Sequence, residues 1–144
     1  VEDDTNSNND FDRNFLRNEI IPFLERRWSK LSERAAFTSL TAKKKKLSLD
    51  FMLESTFKKE IYSGIIARED FTDIPSFLIE ELIRLILRNK GVALPNQKVL
   101  SEIMNVFFLK KPSNKSYVEW SRKDGEQIGG KVFSEFNDII FEQK

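Results

Sequence analysis

Histidine and cysteine are both absent from this chain of 144 residues. Without them there is no disulfide, no thiolate nucleophile, no zinc site of the Cys/His kind and no imidazole base. The missing cysteine fits a reducing compartment, so the expected location is cytoplasmic. No apolar run approaches the roughly 20 residues of a membrane span, so no membrane partner is expected. The opening Val1-Glu2-Asp3-Asp4 has neither the basic nor the apolar region of a signal peptide. It also lacks an initiator methionine, and the chain reads as a piece of something longer. An excess of one charge sign is missing too, with 24 basic against 23 acidic residues. A nucleic-acid role must therefore rest on local clustering.

Apolar side chains are plentiful. Hydrophobic residues make up 40% and include 13 phenylalanines, enough for a core of about one domain. The acidic, Asn-rich lead (Asp3, Asp4, Asn6, Asn8, Asn9, Asp10) suits turns and caps, with Asp12 as the expected N-cap of a first helix over 13–31. On that helix Phe15, Leu16, Ile20, Phe23, Leu24 and Trp28 form an apolar stripe, and Pro22 should kink it. A second helix is expected over 32–63, capped by Ser32. A third follows Pro75 and stops at Asn89-Lys90-Gly91, and a fourth starts at the Asn96 cap. Residues 64–73 read as a loop, with a short strand through Ile65 and Ile66 as the alternative. After Pro112 the period changes to strand-like alternation, with Asn137-Asp138 as the expected hairpin turn. The predicted fold is mainly α: a small helical bundle closed by a C-terminal β-hairpin or three-stranded patch. Trp28, Phe51 and Phe107 are expected in the core.

The first residues carry an unusual pattern. Glu2-Asp3-Asp4-Thr5-Asn6 is followed by Phe11-Asp12-Arg13-Asn14-Phe15-Leu16-Arg17 and then Ile20-Ile21-Pro22-Phe23-Leu24. This resembles the segment that closes the catalytic domain of tRNA(Ile)-lysidine synthetases. The stretch from Glu80 through Pro95 to Val106, with the final strands, is more loosely similar to that family's central helical domain. The resemblance implies that 1–28 is the tail of an ATP-pyrophosphatase-type catalytic domain with its connecting helix. It implies that 29–144 is the central tRNA- and substrate-binding domain. It further implies an ATP-dependent ligase that attaches free lysine to the wobble cytidine of an isoleucine tRNA with a CAU anticodon. ATP with magnesium would serve the full-length enzyme. The S-G-G-x-D-S loop that holds ATP in the family is not in this sequence, and Gly129-Gly130 is followed by Lys131-Val132-Phe133. No cofactor is therefore expected on this piece, no metal site is expected, and alone it should be inactive. The family's paired arginines on the final hairpin are replaced here by Ser134-Glu135, which puts RNA contact by the hairpin in doubt.

Arg13, Asn14 and Arg17 are the residues that the resemblance places beside the catalytic centre. Arg13 and Arg17 stand four apart, so both guanidinium groups can reach one anion. The alternative is that they pair with Asp10, Asp12 and Glu19 and only lock the helix. Between residues 25 and 46, eight basic side chains (Arg26, Arg27, Lys30, Arg34, Lys43, Lys44, Lys45, Lys46) face two acids, Glu25 and Glu33. They form the candidate tRNA-binding cluster, with a solvated face as the bland alternative. Four consecutive lysines point around a helix, so at most two serve one partner. Arg84 and Arg88 are read as structural, neutralised by Glu80 and Glu81. Lys110, Lys111 and Lys115 flank a loop suited to a phosphate backbone. The competing function class is a non-enzymatic helical module that binds a protein partner. The oligomeric state stays open, a homodimer included.

Overall fold

The structure, a computed structural model, describes residues 11–113, 115–121 and 128–144. The acidic lead and the Glu2-to-Asn6 part of the motif lie outside the described residues, as do Asn114 of the basic loop and residues 122–127 before the final hairpin. Helices α1 (Asp12–Phe15) and α2 (Ile21–Arg27) are joined by a π-helical segment (Leu16–Ile20). Then come α3 (Leu31–Thr56), α4 (Lys58–Ser63), β1 (Ile65–Ala67), a 3-10 turn (Arg68–Phe71) and α5 (Ser76–Asn89). Last come α6 (Gln97–Ile103), a second π-helical segment (Met104–Leu109), β2 (Tyr117–Trp120), β3 (Gly130–Glu135) and β4 (Asp138–Gln143). The mainly α fold with a small C-terminal sheet is the one the periodicity predicts. Contacts divide the chain into two compact units, 1–48 and 49–144, and the division falls inside α3.

In the first unit the helical run differs from expectation at both ends. Phe11, not Asp12, is the N-cap, and no side chain caps it. The run ends at Trp28 rather than Leu31, and Lys30 takes a left-handed φ of 64° before α3 starts. Pro22 sits in the first turn of α2. Having no N–H, it cannot bond the carbonyl four residues back, and the ladder widens just before it: Ile21 N–H donates to Leu16 O, an i→i+5 bond. The apolar stripe has the right period but does not make a core. Among the described residues of this unit only Asn14 is buried, and Trp28, expected inside, is 56% exposed. A helical stripe is buried only where a second layer covers it, and the described elements of this unit supply none.

The second unit holds the core. The helix expected over 32–63 breaks at Phe57 (φ −114°, ψ 37°), whose ring packs on Phe71 at 5.2 Å between centroids. Phe51 lies on the outer side, 71% exposed, which corrects its expected place, whereas Phe107 is fully buried as anticipated. Helix α4 ends at Gly64, whose φ of +72° would strain any other residue. A Cβ there would also collide with Phe141 O and the Lys90 side chain. Helix α5 buries Ile79, Leu82, Ile83, Leu85, Ile86 and Leu87, each contributing about 1.5–3 kcal/mol by transfer from water. Pro75 is its N-cap, so the helix follows Pro75 as expected, and Lys90-Gly91 ends it. Asn96 caps α6, its Oδ1 accepting from Val99 N at 3.0 Å.

The sheet has the order β1-β4-β3-β2, all neighbours antiparallel. The alternative of a strand at Ile65 and Ile66 is the one realised. The hairpin turn is Phe136-Asn137, one residue earlier than expected, because Glu135 pairs with Asp138. Alternate residues Val132, Ser134, Ile139 and Phe141 face inward with Val118 and Trp120. Helix α5 packs on β4 and α6 on β2. Trp120 Nε1 donates to Ala93 O at 2.6 Å, satisfying the one polar atom of a buried indole.

Candidate nucleic-acid interface

The first unit carries the basic cluster. Arg26 and Arg27 occupy the last turn of α2, where positive charge also offsets the negative end of the helix dipole. The turn to α3 is pinned by Glu25, whose Oε1 accepts the Ser32 N–H at 3.1 Å. Hydrogen bonds from the Ser32 side chain and backbone hold the Glu25 carboxyl below its ordinary range. Ser32 thus acts as the donor in this turn. Lys30 pairs with Glu33 at 3.8 Å, both side chains well exposed, so the pair adds little stability. Both acids of the region are thereby engaged. Arg26, Arg27 and Arg34 are exposed and form no ion pair among the described residues. Along α3, Lys43, Lys44 and Lys45 are exposed and Lys46 is half-buried, the spread that consecutive helical positions impose.

Arg13 and Arg17 are also exposed, on either side of the start of the π segment, and among the described residues neither forms an ion pair. Asn14 between them is 6% exposed. Its side chain faces protein where the flanking guanidinium groups face outward, a distinction the sequence did not suggest. The i→i+5 widening that follows is a deformation often found at functional sites.

The second unit offers less to a polyanion. Arg84 binds Glu81 at 2.9 Å and Glu80 at 3.9 Å, and Arg88 binds Asp50 at 3.2 Å. Both arginines are structural, as expected, though Arg88 draws on Asp50, a partner 38 residues away that no helical spacing reveals. Arg68 donates through Nε to Phe107 O at 3.1 Å, holding the start of the 3-10 turn to the second π segment. Lys110, Lys111 and Lys115 stay exposed around a loop closed by Ser116 N–H to Ser113 O at 2.9 Å. Ser134 is buried and Glu135 exposed.

Gly130 is a packing glycine, since a Cβ there would strike the Trp120 ring and Val92. No group of three or more acidic residues is gathered for a metal among the described residues. No helix among them is long and apolar enough to cross a membrane.

Three of the curated relatives that the chain matches are tRNA(Ile)-lysidine synthases. The tRNA(Ile)-lysidine synthase of Buchnera aphidicola (subspecies Acyrthosiphon pisum) is 35% identical over 99 residues, 68% of this chain and 22% of that protein. The chain belongs to the tRNA(Ile)-lysidine synthase family. The synthase of Edwardsiella ictaluri is 33% identical over 110 residues, 72% of this chain and 24% of its own length. That of Vibrio parahaemolyticus is 31% identical over 101 residues, 69% and 23% respectively. The chain therefore spans about a quarter of the length of the curated tRNA(Ile)-lysidine synthases it matches. No family model matches it.

Proposed function

We propose that this chain is the tRNA-orienting part of a lysidine-forming ligase. In this reading the first unit holds an isoleucine tRNA through Arg26, Arg27 and Arg34, with Lys30 and Lys43–Lys46 adding charge around them. Arg13 and Arg17 stand nearer the chemistry. Residues up to about 28 continue the catalytic domain, and those beyond belong to the substrate-binding domain. In this reading lysine attachment and ATP use belong to the catalytic domain, and the chain by itself is inactive as a ligase.

One observation carries the reading. Three arginines stand exposed without acidic partners while Arg84 and Arg88 elsewhere in the chain are neutralised. Unpaired guanidinium groups gain most from phosphates, which they bind in a bidentate manner and whose counterions they release. The test is filter binding of an isoleucine tRNA transcript to the chain at low salt. Weak binding that disappears as salt rises is the expected result. Absence of binding even at low ionic strength contradicts the reading.

A further inference from the structure

Among the large aromatic side chains that the same unit leaves in solvent, three lie close in sequence to the arginines: Phe23 is 65%, Trp28 56% and Phe37 71% exposed. They alternate with the arginines. Phe23, Arg26, Arg27 and Trp28 line one groove of about 400 Å³. Glu33, Arg34, Phe37 and Thr38 line another of about 500 Å³.

We propose that this surface takes unpaired nucleotides, their bases stacking on Trp28, Phe23 and Phe37 and their phosphates on Arg26, Arg27 and Arg34. The proposal rests on the RNA reading above and names the kind of RNA. A duplex offers phosphates but keeps its base faces stacked inside, so it would leave the aromatic rings wet. An apolar protein surface would cover the rings but strand three guanidinium groups without partners, at a desolvation cost. Unpaired RNA satisfies both. Each base has a π-face and each linkage a phosphate, and arginine can itself stack on a base plane. Glu33, the one acid lining either groove, is already paired to Lys30 and so repels the backbone less.

Trp28 makes the test direct, because the only other tryptophan, Trp120, is buried against Ala93 and reports folding instead. The intact chain is titrated with a short single-stranded oligouridylate and with a blunt RNA duplex of equal length, following tryptophan emission and filter binding together. The expected result is quenching by the single strand and none by the duplex. Trp28→Phe should lose the quenching but bind within about threefold, since a ring remains. Trp28→Ala should bind about tenfold or more weakly, with Trp120 emission unchanged. If the single strand binds without quenching and Trp28→Ala binds normally, the stacking proposal fails and the RNA reading stands. If neither RNA binds, both fail. If Trp28 in the free chain is shielded from acrylamide because a second copy or another protein surface covers it, the proposal is overturned in favour of a protein interface.

Discussion

Glu25 Oε1 accepts the Ser32 N–H at 3.1 Å across the turn between α2 and α3. The bond joins positions seven apart and closes a turn that includes the left-handed Lys30. It sets where Arg26 and Arg27 stand at the end of one helix and Arg34 at the start of the next.

The bond predicts a pH effect. Because Ser32 lowers the Glu25 pKa in the folded chain, the ionised form is the stabilising one. The contribution is complete above the ordinary carboxylate pKa and is lost as pH falls through the depressed folded value. NMR titration should place the Glu25 midpoint below the ordinary carboxylate range. Glu25→Gln should abolish the pH-dependent shift of the Ser32 amide. A Glu25 midpoint in the ordinary range would refute the link.

Core and surface aromatics should separate in denaturant melts. Phe107→Ala should cost about 3–5 kcal/mol, as a buried phenylalanine does. Phe51→Ala and Trp28→Ala should stay within about 0.5 kcal/mol, as exposed positions do. Equal losses for Phe51 and Phe107 would mean that Phe51 is covered.

Gly130→Ala should destabilise by about 1–3 kcal/mol, because the added methyl meets the Trp120 ring and Val92. The near-ultraviolet dichroism of Trp120 should change with it. A neutral substitution would show that β3 packs less tightly on β2.

In a family enzyme that carries this segment, Arg13→Ala should lower turnover more than it weakens tRNA binding. Lysine incorporation measured beside filter binding separates the two. Equal losses in both would make Arg13 an ordinary tRNA contact.

Much of the second unit was legible in the sequence. Asn96 caps α6 through an interaction contained within four residues, and Leu82, Leu85 and Ile86 of α5 repeat at helical spacing. Strand alternation from Val132 to Phe141 gave the inward face. What failed was non-local. The expected core at Trp28 and Phe51 rested on period alone, but a period shows which residues share a face and not whether anything covers that face. The break at Phe57 depends on its ring meeting Phe71, fourteen residues on, and the role of Arg88 on Asp50. In the candidate site, the cluster of arginines was visible as composition. Their lack of acidic partners, and the aromatic rings between them, required the fold.

The central claim, that this chain handles tRNA through Arg26, Arg27 and Arg34, is tested most directly by the salt dependence of tRNA filter binding. Four or five phosphate contacts give a log–log slope of roughly −3 to −5, at about 0.7 to 0.9 per contact. Replacing Arg26, Arg27 and Arg34 together with Ala should flatten that slope by roughly one unit per lost contact. Replacing Arg84 and Arg88 should change it much less, since Glu81 and Asp50 already neutralise them. An unchanged slope in the triple variant would contradict the account and make the cluster a solvated face.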